Sequence, residues 1–302
     1  MVLQEHYTLS NGVMIPKIGL GTWLIADKDV TQVVKDAVRI GYRHIDTAQA
    51  YRNERGVGEG IRSCKVSRNE LFVTTKLAAE IKSYKKAVSA IDGSLKKLGL
   101  DYIDMMIIHS PKPWMKFKGS ERFFEGNREA WRALEDAYTA GKLRAIGLSN
   151  FEKEDIDNIL SSCRIKPMVN QILAHISNFP RELVQYTQEQ GLLVEAYSPI
   201  GHGELFKNES IVKMAETYQV SVPQLAIRFA LQLGLLPLPK TADPIHLETN
   251  INVDFSIADD DMEYLVNIDT IKDYGDASMM PVYGGKLNLK SIVSVLFPKR
   301  RK

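Results

Sequence analysis

The chain has little cysteine: two residues, Cys64 and Cys163, among 302. Neither belongs to a C-x-x-C pair, which excludes a disulfide framework and a thiol-redox motif. Free thiols point to a reducing compartment, so a cytoplasmic protein is expected. No apolar run nears the roughly 18 residues of a membrane span; the longest, Phe229 to Pro239, is broken by Gly234 and Pro237. The N-terminus lacks a basic stretch followed by an apolar one, so no signal peptide is expected. Charge of one sign is also missing: 39 Lys and Arg stand against 37 Asp and Glu. That balance offers no footprint for nucleic acid or an anionic membrane. The one basic cluster, Pro298 to Lys302, reads as the solvated end of a C-terminal tail at 286–302. The six histidines form no pair at helical or zinc-site spacing, so no metal is expected. No heptad or apolar patch points to assembly, and a monomer is expected.

What is present is an average globular composition, 44% hydrophobic and 25% charged, over a length that can bury a large core. The opening is a hairpin signal, Tyr7 to Leu9 and Val13 to Ile15 about a Ser10-Asn11-Gly12 turn. Short apolar strands then alternate with amphipathic segments. The strands are Ile18–Leu20, His44–Asp46, Phe72–Lys76, Tyr102–His109, Ala145–Ser149, Met168–Gln171, Leu192–Tyr197 and Leu236–Lys240. Helical periodicity fills 29–40, 84–98, 127–140, 153–162, 181–190 and 222–234, with Gly41, Gly99, Gly141, Gly191 and Gly234 as stops. Eight strands in strict alternation with no linker predict one α/β domain over 1–302, a single parallel (β/α)8 TIM barrel. An open doubly wound sheet is the alternative. Long inserts follow strands 4 and 7, at 110–126 and 198–208, and a third segment runs from Asp269 to the end.

In a barrel, polar residues at the C-terminal ends of strands are aimed at the mouth where active sites lie. Here they are Asp46, Lys76, His109, Ser149-Asn150, Gln171, Tyr197-Ser198 and Lys240-Thr241. Singly, each has a plain structural explanation. Converging from seven strands, they indicate a site.

The segment G-Y-R-H-I-D-T-A-Q-A-Y-R-N-E, Gly41 to Glu54, sets Asp46 at a strand end and Tyr51 in the loop beyond it. With this segment the chain resembles the aldo-keto reductase superfamily. Further motifs recur in order: G-L-G-T-W at Gly19–Trp23, V-T-T-K at Val73–Lys76 and I-I-H-S-P at Ile107–Pro111. They continue with G-K-L-R-A-I-G-L-S-N-F at Gly141–Phe151, V-N-Q at Val169–Gln171, A-Y-S-P-I-G at Ala196–Gly201 and L-P-K-T at Leu238–Thr241. The resemblance spans roughly residues 5 to 285; the chain is similar to the prokaryotic diketogluconate and methylglyoxal reductase-like group, and its short C-terminal region looks more like bacterial members.

The resemblance implies a catalytic tetrad of Asp46, Tyr51, Lys76 and His109 and an NADPH-dependent reduction of small aldehydes or ketones. Carbonyl reduction needs a hydride from reduced nicotinamide and a proton for the developing alkoxide. Tyr51 is the implied proton donor; Lys76 is expected to lower its pKa, with Asp46 holding Lys76 and His109 orienting the carbonyl. Implied cofactor contacts are Gly21, Thr22, Asp46, Ser149, Asn150, Gln171, a stacking Tyr197, Ser198 and Ile200. Lys240, Thr241 and His246 fall at the adenosine 2′-phosphate and Asn250 at the adenine. Trp23, Tyr51, His109 and Trp114 are expected to line the substrate pocket.

Three departures stand out. His246 replaces the arginine often found six residues past the lysine, which leaves NADH use open, because an imidazole holds phosphate less firmly than a guanidinium. Leu173 stands where Glu is common. Ser110 follows the catalytic histidine where many animal members have Trp. The G-V-G-E-G run at Gly56–Gly60 follows no strand and is not a dinucleotide-binding loop. Two other functions compete with the reductase: a non-catalytic nicotinamide-binding sensor on the same barrel, and a lyase with Lys76 as Schiff-base nucleophile.

Overall fold

The computed structural model describes residues 1–285; the tail expected at 286–302 lies outside the described residues. The chain opens with the hairpin, β1 (His6–Thr8) antiparallel to β2 (Met14–Pro16), turned at Gly12. The Tyr7 hydroxyl donates to the Leu235 carbonyl and the Asn11 amide to the Arg144 carbonyl. Both acceptors lie at the starts of barrel strands, so the hairpin covers the N-terminal mouth.

Eight parallel strands follow: β3 (Leu20–Gly21), β4 (His44–Asp46), β5 (Phe72–Leu77), β6 (Ile103–Ile108), β7 (Leu143–Ser149), β8 (Val169–Leu173), β9 (Leu193–Tyr197) and β10 (Leu236–Leu238). Each pairs with its sequence neighbours, so the sheet runs in order from β3 to β10. The ring closes through two bonds, Gly19 N–H to the Pro237 carbonyl at 3.2 Å and Gly21 N–H to the Pro239 carbonyl at 3.0 Å. Proline has no N–H to return, so this joint carries half of an ordinary parallel ladder. The two glycines let the strands approach: a Cβ on Gly19 would come 2.6 Å from Leu238 Cδ2, and one on Gly21 would come 3.2 Å from the Leu238 carbonyl oxygen. The expected barrel is therefore the fold, with one thin seam.

Ten helices are present among the described residues: α1 (Asp27–Ile40), α2 (Glu54–Ser63), α3 (Tyr84–Leu98), α4 (Phe124–Thr139), α5 (Lys153–Leu160), α6 (Arg181–Glu189), α7 (Glu209–Thr217), α8 (Val222–Gln232), α9 (Pro244–Thr249) and α10 (Asp259–Val266). The pattern of α1 is typical of them. Val30, Val33, Val34, Ala37 and Val38 form one buried stripe at helical spacing. Local chemistry sets ends: Ser221 and Gln224 make a reciprocal capping box at the start of α8. The five glycines expected as stops all hold positive φ, from 61° at Gly99 to 125° at Gly41.

Helices α2, α7, α9 and α10 lie outside the segments that periodicity marked. For α2 the reason is compositional, since three interior glycines each disfavour a helix by about 1 kcal/mol. Packing outweighs that. A Cβ at Gly56 would lie 2.2 Å from the Asp27 carbonyl oxygen, and one at Gly58 2.0 Å from the Leu98 carbonyl oxygen. The G-V-G-E-G run is a bare helix face against α1 and α3.

Candidate active site

Between the C-terminal ends of the strands lies a cavity of about 420 Å3. It gathers, from the residues expected there, Gly21, Trp23, Asp46, Tyr51, His109, Trp114, Ser149, Asn150, Gln171, Tyr197, Ser198, Ile200 and Lys240. Lys76 is fully buried and reaches the cavity through Asp46. Thr22, Thr241, His246 and Asn250 do not line it. The Thr22 hydroxyl donates inward to the Asp46 carbonyl at 2.9 Å, while Thr241 Oγ1 accepts from the Asp243 N–H. Asn250 is buried and His246 exposed on α9.

Tyr51 sits in a short 3-10 turn, Gln49–Tyr51, after β4. Two further side chains of the Gly41–Glu54 motif, to which the sequence alone assigns no role, hold that turn. The Gln49 amide donates to the Ala90 carbonyl and Ser94 Oγ and accepts from the Ala78 N–H. Asn53, fully buried, donates to the Thr22 and Ile25 carbonyls and accepts from the Thr47 hydroxyl. Their place inside one recognised motif was the available signal.

At the floor, the Lys76 ammonium pairs with Asp46 Oδ1 and donates to the Thr47 carbonyl at 3.0 Å. It lies 4.9 Å from the centre of the Tyr51 ring. The Tyr51 and His109 rings meet edge to face at 5.6 Å, and His109 meets Trp114 the same way at 5.1 Å. Burial, and then the Asp46 carboxylate, push the Tyr51 pKa well above its usual value. This corrects the expectation of a lowered pKa: burial and the Asp46 charge outweigh the neighbouring ammonium. The carboxylate already compensates the ammonium, and desolvation disfavours a phenolate. Burial, with the Lys76 charge, pushes His109 well below the usual histidine range, so its ring is neutral. Its Nδ1 is buried without a hydrogen-bond partner among the described residues.

The polar wall is tightly wired. The Asn150 amide donates to the His109 carbonyl and to Ser149 Oγ, both at 3.0 Å, and its oxygen accepts from the Tyr197 hydroxyl at 2.7 Å. Gln171 Nε2 donates to Asp46 Oδ2 at 3.0 Å and to Glu195 Oε2 at 2.8 Å. The amide hydrogens of both residues are therefore engaged within the chain, and carbonyl oxygens are what they offer to a ligand. Lys240 makes no ion pair among the described residues, so its ammonium is available to an anion.

The outer wall is aromatic and includes residues sequence reasoning did not single out. Tyr283 stacks on Trp23 at 6.2 Å and donates to or accepts from Ser198 Oγ at 2.7 Å. His202 stands edge-on to both Trp23 and Tyr283. Leu24 is exposed on the rim with φ 60°. Met280, Val282 and Tyr283 come from the long third segment that begins at Asp269; its part from 286 on lies outside the described residues. No group of three or more metal-ligating side chains occurs among the described residues, and no helix there is long and apolar enough to cross a membrane.

The donor set fits a nicotinamide dinucleotide. Amide oxygens face the cavity beside a tyrosine ring, and a free ammonium lies at one side for a phosphate.

Comparison with known proteins agrees with the geometry. The model of the aldo/keto reductase family matches residues 17–270. A glyoxal reductase of Bacillus subtilis is 39% identical over 263 residues, covering 86% of this chain and 91% of that protein. An aldo-keto reductase from a Medee basin deep-sea metagenome library superimposes with a TM-score of 0.82 at 36% identity, over 88% of this chain and 96% of the other. A Bombyx mori aldo-keto reductase solved in complex with NADP gives a TM-score of 0.80 at 33% identity, over 91% and 95%. A match this long, over a cavity built from the same strand ends that carry the motifs, means that the chain belongs to the aldo/keto reductase family.

Proposed function

We propose that this protein reduces small aldehydes and ketones to alcohols with NADPH, Tyr51 supplying the proton. The observation that carries the reading is the grouping at the cavity floor. A protonated phenol, a neutral imidazole and a buried ammonium–carboxylate pair all surround one open space. Reduced nicotinamide supplies the hydride when bound. Tyr51 Oη holds the proton that the developing alkoxide takes up. Lys76 stabilises the phenolate left behind, and Asp46 fixes Lys76 in place. His109 hydrogen-bonds the carbonyl oxygen and orients it. Gln171 and Asn150 present oxygens to the carboxamide, and Tyr197 gives the ring a face to lie on.

NADPH is favoured over NADH by the free Lys240 ammonium; His246, being exposed and short, weakens that preference. The glyoxal reductase among the relatives supports the substrate class. We also read the chain as a monomeric, single-domain enzyme, and as cytoplasmic because its two free thiols suit a reducing compartment.

The test is loss of reduced-nicotinamide absorbance with NADPH and NADH in parallel, against small aldehydes and dicarbonyls. Turnover faster with NADPH is expected. Tight cofactor binding with no turnover on any carbonyl would overturn the reading in favour of a sensor.

A further inference from the structure

Behind the cavity floor lies a second carboxyl group that the proposed mechanism does not use. Glu195, on β9, points into the barrel and is fully buried. It is in register with Gln171 on β8, and its Oε2 receives one hydrogen of the Gln171 amide while Asp46 Oδ2 receives the other. Its second oxygen, Oε1, has no hydrogen-bond partner among the described residues. We propose that Glu195 is a positioning residue for the reaction: through Gln171 it fixes Asp46, and with it Lys76, and keeps the Gln171 carbonyl turned to the cavity.

The argument rests on the reductase reading and on two pieces of chemistry. An amide nitrogen carries two hydrogens and its oxygen none, so an amide between two carboxyl oxygens is stable with its nitrogen toward them. Without Glu195 only Asp46 would hold that orientation, and the amide could rotate. Charge supplies the second piece. The ionisable side chains on the strands around Glu195 are Asp46 and His44 on β4 and Lys76 on β5, with Tyr51 beyond β4 and Tyr197 on β9 itself; β8 and β10 bring Gln171 and Leu236 into register with it. His44 is neutral, because burial pushes its pKa to about 3. One ammonium can compensate one carboxylate, and Asp46 takes it. A second bare carboxylate in the same buried space is costly, so Glu195 keeps its proton, and Oε1 is the free place for it. Burial and the Asp46 charge push its pKa up to about 8. Above that pH the ionised Glu195 adds a negative charge behind Asp46, and the Tyr51 proton is held more tightly.

Two variants test this. E195Q keeps an acceptor for Gln171 but cannot ionise. E195A removes the anchor. The wild type is expected to lose kcat for carbonyl reduction as pH rises through about 8, and E195Q to lack that fall. E195A is expected to weaken NADPH binding about tenfold, the worth of one hydrogen bond, as read by fluorescence titration, and E195Q to restore most of it. Thermal unfolding of each variant separates a folding defect from a positioning one. Coincident pH profiles for E195Q and an active wild type, or unchanged NADPH affinity in a folded E195A, would overturn the role of Glu195 alone. A wild type inactive on every carbonyl would instead overturn the reductase reading, and this inference with it.

Discussion

The Lys76 ammonium lies 4.9 Å from the centre of the Tyr51 ring while its charge is held by Asp46 beneath it. The phenol thus faces a cation already spoken for, and burial keeps it protonated. On the proposed reading, that phenol is the group that gives its proton to a carbonyl turning into an alkoxide.

Tyr51→Phe keeps the ring over Lys76 and against His109 and removes only the hydroxyl. Its kcat should fall by about 10²–10⁴, the range for one positioned proton donor. NADPH affinity, followed by fluorescence titration, should change little. Turnover within a few-fold of wild type would assign the proton to another group.

Asp46→Asn leaves the Lys76 ammonium buried without its counter-charge. The loss should reach about 3–5 kcal/mol of stability, measured by urea unfolding. The double variant Asp46→Asn, Lys76→Met removes the stranded charge and should recover much of that loss. If it unfolds as easily as the single variant, the pair matters through packing and not charge.

Acid should unfold the chain in part through its buried histidines, His175 and His44 among them. Burial holds His175 at about 4, and His44 lies at about 3, both below the ordinary 6.5. The unfolded chain therefore takes up protons that the folded chain refuses. Stability should fall as pH drops below about 6.5, down to about 4 for His175 and 3 for His44. Each contributes up to about 1.4 kcal/mol per pH unit in its window. His175→Gln should flatten the slope of unfolding free energy between pH 6 and 4.5; an unchanged slope would remove His175 from the account.

Gly58→Ala places a methyl 2.0 Å from the Leu98 carbonyl oxygen, which is backbone and cannot swing aside. Helix propensity alone favours the change by about 1 kcal/mol. Overpacking should win, giving a net loss of about 1–3 kcal/mol in thermal unfolding. A more stable variant would mean that α2 can slide along α3.

His246→Arg on α9 should raise the kcat/KM ratio of NADPH over NADH by about tenfold, the gain from one charge-assisted bond to phosphate. An unchanged ratio would place the 2′-phosphate away from α9.

Much of the frame was legible because its signals are local. Strand ends such as Asp46 and Gln171 follow short apolar runs, and stops such as Gly99 follow amphipathic ones. Asp46 and His109 stood out as strand ends, and Tyr51 only through the family resemblance. What escaped depends on contacts across the barrel. Glu195 looks in sequence like any polar residue inside a strand, and only the meeting of β4, β8 and β9 gives it partners. The direction of the Tyr51 shift escaped for the same reason, since desolvation is a property of the closed barrel. The glycines of α2 misled by composition: they are absent side chains where two backbones nearly touch.

The two carbonyls of Pro237 and Pro239 are received at Gly19 and Gly21 with nothing handed back. The ring is thus fastened by a one-sided clasp, and Gly21, part of that clasp, is also a wall of the cavity. A molecule filling the cavity therefore braces the barrel at its thinnest joint.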